Sequence, residues 1–279
     1  MKLISLCLIL CFSVTSYADT GSSSAAKKPL TLGFFPIIST VALYKRFSPL
    51  RDHLSEAMGR EVQLLTAKDF STFTKRTAER AYDIVITAPH FAVSAADSGK
   101  YNIRATLIKD VQQLIVVKND SPIKSLNQLA GKKISTPPGR ALMTMMGKNF
   151  LQETGLVGNK TPLYTAFTSH NAANQALLGN EVDAAIASSN IIKKAIKHGK
   201  PLKIIGHGLK LPNMATLVAS DLDTAIGKQL VQALTDMKKS EKGRVVLKKI
   251  RFPGYRAVSA TDYEVARPYM EQARSMSRQ

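Results

Sequence analysis

The sequence predicts an α/β protein of two lobes, each a central, mostly parallel sheet flanked by helices, with a ligand cleft between them. Three observations predict it. Short apolar runs alternate with amphipathic stretches along most of the 279 residues, the order expected of βαβ units rather than of a meander. Two distant segments echo each other: Arg80-Ala-Tyr-Asp-Ile-Val-Ile-Thr87 and Asn180-Glu-Val-Asp-Ala-Ala-Ile-Ala-Ser188 both run from a helix end, through an aspartate, into an apolar strand that finishes on small polar residues. Three stretches, Ile84 to His90, Lys133 to Gly139 and Tyr164 to Asn171, each join a strand-like run to hydroxyl or imidazole residues and then to a helix start. Such junctions place free backbone N–H groups at the carboxyl end of a strand, where α/β sheets bind ligands and helix amino-termini favour anions. They point to a capture site for a small oxyanion.

The first residues read as a secretory signal over 1–18: Lys2, the apolar run Leu3 to Val14, too short to span a bilayer, and Ser16-Tyr17-Ala18 at the cleavage position. The bulky Leu10 before Cys11 argues against lipoprotein processing. Asp19 to Lys28, rich in Ser and Ala, reads as a disordered leader. Both cysteines, Cys7 and Cys11, fall inside the signal, so the exported chain is expected to have no disulfide and no thiolate metal site.

The first lobe opens with a strand at Leu30 to Phe35 and a helix at Phe47 to Met58, reaching back towards Thr40 and stopped by Gly59. A strand at Glu61 to Thr66, a helix at Ser71 to Arg80 capped by Ser71, a strand at Ile84 to Ile86 and a helix at Phe91 to Ser98 follow. Leu107 to Val117 is a longer apolar segment that ends at Lys118-Asn-Asp-Ser-Pro122. A second α/β series then begins: helix Ser125 to Leu129, strand Lys133 to Ser135, helix Ala141 to Thr154, strand Leu163 to Phe167, helix Ala172 to Leu178, strand Ala184 to Ala187, helix Ile191 to His198 and strand Leu202 to Ile205. The remainder has a strand at Met214 to Ala219 and helices at Thr224 to Ser240, Glu241 to Ile250 and Tyr263 to Ser275. It is too helix-rich for a sheet of its own and is expected to pack back on the first lobe. Lobe I is therefore 29–117 with 206–279, and lobe II is 118–205. Two crossings, near Val117 and Ile205, make a hinge.

Composition narrows the function. Apolar residues at 44% and charged residues at 21% are ordinary for a globular protein, and no later apolar stretch has membrane-spanning length. The formal charge of +19 invites a nucleic-acid reading. Against it stand export, an aromatic content of 6%, the absence of Trp, and lysines in scattered pairs such as Lys193-Lys194 and Lys248-Lys249. The charge is read as a bias towards anionic surroundings. Met143, Met145 and Met146 read as core filling, and the histidines show no ligand spacing, so no metal and no cofactor is expected. No Ser-His-Asp set, nucleophile elbow or P-loop appears, which lowers the case for an enzyme.

At the three junctions the candidate ligand residues are Thr87 and His90; Ser135, Thr136 and Arg140; and Ser169, His170 and Asn171. Ser188 ends a further strand, and Thr40 and Tyr44 follow the first one. Each has a structural alternative: Thr87 and Ser169 as helix caps, His90 as packing, Arg140 as a solvated first-turn residue. Asp83 and Asp183 precede their strands and read as structural turn residues at the far end from the cleft.

The exported start, Asp83-Ile-Val-Ile-Thr-Ala-Pro-His-Phe-Ala92, Ser121-Pro-Ile-Lys-Ser-Leu-Asn-Gln-Leu-Ala-Gly-Lys-Lys133 and Ser169-His-Asn-Ala-Ala-Asn-Gln-Ala-Leu-Leu-Gly-Asn-Glu-Val-Asp-Ala184 together resemble the periplasmic phosphate, phosphite and phosphonate solute-binding proteins of ABC transporters. The resemblance runs from about Leu30 to about Ile250. It implies a type II periplasmic binding fold that closes over a small anionic ligand and delivers it to an inner-membrane permease, as a monomer and without catalysis. It also implies that His170 is a phosphoryl-contacting imidazole, donating as a neutral ring or adding charge as a cation. Where the family carries a Ser-Thr-Ser-Gly-type loop, this chain has Ser135-Thr-Pro-Pro-Gly-Arg140, and the prolines remove two N–H donors. The alternatives are a ligand-sensing subunit for a membrane receptor kinase and, on the same fold, a cofactor-synthesis enzyme, whose reactive groups the Cys-free mature chain lacks.

Overall fold

The computed structural model describes residues 27–276, so the expected signal, both cysteines and most of the leader lie outside the described residues. The chain begins β1 (Leu30–Phe34), α1 (Thr40–Ala57), β2 (Val62–Leu65), α2 (Phe70–Ala78), β3 (Ile84–Thr87), α3 (Pro89–Asp97) and β4 (Tyr101–Leu107). It continues β5 (Val111–Lys118), β6 (Lys133–Thr136), α4 (Leu142–Glu153), β7 (Leu163–Ala166), α5 (His170–Leu178), β8 (Ala184–Ser188), α6 (Ser189–Lys197) and β9 (Leu202–Leu211). It ends β10 (Ala215–Ala219), α7 (Thr224–Thr235), α8 (Glu241–Ile250), β11 (Tyr255–Ala257) and α9 (Arg267–Ser275), with short 3-10 turns between.

Six strands form one sheet in the order β11-β4-β10-β3-β1-β2, and five form the other in the order β7-β6-β8-β5-β9. β1 pairs in parallel with β2 and β3, and β6 with β7 and β8, as the βαβ alternation requires. The strands that enter each sheet after a crossing, β5 and β10, run antiparallel to their neighbours, so both sheets are mixed rather than mostly parallel. The crossings lie at residues 108–110 and 212–214, between β4 and β5 and between β9 and β10. They are not near Val117 and Ile205. All of β5 belongs to the second sheet, because the apolar run from Leu107 is broken by the polar Lys109-Asp110 turn.

Alternation along the buried strands divides the first lobe's core. Ile84 and Ile86 pack with Leu43, Phe47, Leu50 and Leu54 of α1 and with α7 and α8, whereas Val85 faces Phe73 of α2 and Phe91 of α3. The same cluster continues into Met143, Met145 and Met146 of α4, so these methionines do fill core. Helix α9, from lobe I, bridges to lobe II, where Asn149 Nδ2 of α4 donates to Gln272 Oε1 at 3.4 Å. Smaller corrections follow local chemistry. Asp69, not Ser71, caps α2, accepting from Thr72 N at 2.7 Å; the first helix extends to Thr40 through Pro49; β4 and β11 were not foreseen. No helix among the described residues is long and apolar enough to cross a membrane.

Candidate functional site

The segments that follow the carboxyl ends of β3 and β6 meet across the lobes. The Arg140 guanidinium, between β6 and α4, stands 5.6 Å from the centroid of the Phe91 ring in α3. Pro89 starts α3, where a missing N–H is harmless, and this first turn draws His90 inward. His90 is 1% exposed, its ring lies 3.9 Å from that of Phe91, and neither ring nitrogen has a hydrogen-bond partner among the described residues. Burial pushes its imidazole down to about 3, and the neighbouring Arg140 charge acts in the same direction against a carbonyl contact from Arg140. On the other lobe Ser169 caps α5, accepting from Ala172 N at 3.1 Å, and so sets His170 in the first turn. His170 Nδ1 is also buried and unpartnered, and burial lowers its pKa to about 4. Burial therefore favours the neutral form of both imidazoles in the unliganded protein, each with one N–H to donate.

The remaining expected residues divide by what already occupies their hydroxyls. Ser135 Oγ donates to Ala173 O at 2.7 Å and Thr136 Oγ1 to Pro137 O at 2.9 Å, so both protons serve the backbone of lobe II and none is left for an anion. Thr87 Oγ1 is buried without a partner, and the residue is one of those, with Thr74, Thr77, Phe91 and Ser94, around a small cavity beside α2 and α3. Ser188, buried at the end of β8, makes no capping bond to α6. Arg140 keeps its Nε unpartnered, and desolvation lowers its pKa. Thr40 and Asn171, on first helical turns, and Tyr44, one turn into α1, lie exposed and apart from the buried set, Tyr44 being 37% exposed. Asp83 and Asp183 sit at the opposite sheet ends, where they accept from Thr31 N and Lys133 N, both at 2.8 Å.

Two features were not foreseen. Phe35, Phe70 and Phe91 form an aromatic group on lobe I, with Phe35 4.4 Å from Phe70 and 5.3 Å from Phe91 between centroids. Gln113, near the start of β5, has its whole amide buried and unpartnered. The only signal in the sequence was a pair of glutamines interrupting an apolar run. Among the described residues no group of three or more His, Cys, Asp or Glu side chains is arranged to hold a metal.

The pattern that defines the ABC transporter phosphonate periplasmic substrate-binding proteins matches residues 32–263. The chain belongs to this family. Its members are the periplasmic solute-binding components of ABC importers, a transport family rather than an enzyme family, and the chain is such a component. Among solved structures it is similar to PhnD1 from Prochlorococcus marinus in complex with methylphosphonate, at a TM-score of 0.77 and 16% identity over 88% of this chain and 98% of that one. It is also similar to a binding protein component of an ABC phosphonate transporter from Pseudomonas aeruginosa, with a TM-score of 0.73 and 15% identity over 89% and 87% of the two chains. A Xanthomonas citri protein bound to ATP matches at 0.73, with 18% identity over 88% and 98%. At these identities the likeness establishes the type II periplasmic binding fold.

Proposed function

We propose that this solute-binding protein captures a small phosphoryl oxyanion between its lobes and passes it to an inner-membrane permease. The observation that carries the reading is the pair of buried, neutral imidazoles, His90 on one lobe and His170 on the other, each with an unpartnered nitrogen at a strand-to-helix junction. A neutral N–H donated to an anion makes a charge-assisted bond worth about 1.5–3 kcal/mol. Arg140 adds the charge that an anion needs, and Thr87 and Ser188 add hydroxyls on the two sides. Ser169 acts by setting the first turn of α5. The rings of Phe35, Phe70 and Phe91 suit an apolar substituent on the ligand. Closure works about the crossings at 108–110 and 212–214, where few backbone torsions swing one sheet against the other. Segment 1–18 exports the chain to the periplasm, where it acts as a monomer.

A thermal-shift screen tests the reading, because a ligand bound only to the folded state at a hundred times its Kd stabilises by about 2.7 kcal/mol. Methylphosphonate, phosphite or phosphate is expected to raise the midpoint. A response to short carboxylates alone would contradict a phosphoryl ligand.

A further inference from the structure

Gln113 and Gln112 are sequence neighbours with opposite fates. Gln112 donates its amide to Gly208 O at 2.9 Å, an ordinary strand-to-strand tie. Gln113 is 0% exposed, and neither its Oε1 nor its Nε2 has a partner among the described residues. Turning the amide over changes nothing, since both ends are unmatched. Its place is set by three features. The residue lies directly after the 108–110 crossing; β5 pairs it with Ser188, at the ligand end of β8; and cross-strand partners share a face. On its other side stands Gly208, where a Cβ would come within 1.7 Å of Gln113 Oε1. A glycine there makes the room in which this side chain lies.

A buried amide with both needs unmet is destabilising unless something else meets them. The other polar groups proposed for this site, His90, His170, Arg140, Thr87 and Ser188, all have protons to give. Gln113 Oε1 can only accept, and unlike a hydroxyl, which can turn, or a neutral imidazole, whose proton can sit on either nitrogen, it cannot be matched to an anion that has lost all its protons. Resting on the phosphoryl reading above, we infer that Gln113 reads the protonated edge of the ligand. Its Nε2 donates to an anionic P–O oxygen, while its Oε1 accepts from the P–O–H of the same group. The site thereby selects a singly protonated phosphoryl acid over a sulfonate of the same shape, which has no proton to offer.

Calorimetric titration with methylphosphonate and methanesulfonate, at about pH 6 where a phosphoryl group retains its second proton in part, tests this. The wild-type chain is expected to prefer methylphosphonate by roughly tenfold to a hundredfold, the effect of one unmatched buried acceptor. In Gln113→Leu, methylphosphonate binding weakens while methanesulfonate is little changed, and the preference falls to within about threefold. Equal wild-type affinities, or a preference that survives in Gln113→Leu, would overturn the inference while leaving the phosphoryl reading intact. Binding of neither ligand would overturn the inference, and failure of phosphite and phosphate to bind as well would overturn both. If Gln113→Leu does not fold, Gln113→Met provides the same comparison, and the wild-type ratio remains decisive against the inference if it is near one.

Discussion

In the first lobe the parallel strands stand in the order β3-β1-β2 with β10 antiparallel beside β3; in the second they stand β8-β6-β7 with β5 antiparallel beside β8. The aspartates repeat as well. Asp83 accepts from Thr31 N in β1, and Asp183 accepts from Lys133 N in β6, at the same bond length of 2.8 Å. Both follow a helix end with a left-handed residue, Arg80 at φ 63° and Asn180 at φ 62°. At the ligand ends the likeness stops. Where α2 opens on Asp69 and Phe70, the matching α5 opens on Ser169 and His170. Lobe I brings rings, Phe35, Phe70, Phe91 and His90; lobe II brings polar groups, Arg140, His170, Gln113 and Ser188. The scaffold repeats because each lobe must satisfy the same free strand-end N–H. On the proposed function the walls differ because a ligand with an anionic head and an apolar substituent needs unlike faces.

The largest effect, and one that both lobes are expected to share, comes in acid. The two histidine pKa values, about 3 for His90 and about 4 for His170, lie below the unfolded value of about 6.5. Between those limits the unfolded chain binds more protons, so stability rises with pH through this window and is lost as pH falls through it. Each ring contributes a slope of at most about 1.4 kcal/mol per pH unit. Urea denaturation from pH 8 to pH 4 is expected to show this loss, levelling off above about pH 7.5, and His90→Asn and His170→Asn are each expected to flatten it. A slope unchanged from wild type in both variants would contradict two buried, neutral imidazoles, one in each lobe.

A smaller effect sharpens the scaffold's repetition. Each lobe keeps a glycine beneath a large side chain: a Cβ at Gly33 would lie 2.6 Å from the Tyr82 ring, and one at Gly147 would lie 2.4 Å from Ile186. Gly33→Ala and Gly147→Ala are each expected to lower stability by about 1–3 kcal/mol through overpacking. Denaturant midpoints measure this, and a neutral result for either would mean that lobe's core yields more easily.

Much of this was legible in the sequence, and the boundary is physical. The 3.6 and 2.0 periodicities revealed the βαβ order, and helix α8 spans Glu241–Ile250 as expected, starting where Ser240 caps it by accepting from Gly243 N at 3.0 Å. The lobe boundaries were misplaced because Leu107, the last residue of β4 in one sheet, and β5, in the other, read as one apolar run when the crossing between them is only residues 108–110 long. At the junctions, the sequence singles out His90 and His170 but cannot tell a hydroxyl that is free from one already given away. Ser135 and Thr136 look like ligand donors until Ala173 O and Pro137 O are found to take their protons. Gln113 is invisible because its meaning depends on Ser188 and Gly208, far away along the chain.

The central claim is that the ligand is held by both lobes at once, and calorimetric titration of methylphosphonate into wild type, His90→Ala and His170→Ala tests it most directly. The account predicts one saturable site and a loss of roughly tenfold to a hundredfold in affinity for each variant, after correction for any unfolded fraction. Affinities within about twofold of wild type for both variants would contradict it, since a ligand indifferent to both imidazoles is not bound where the two lobes meet.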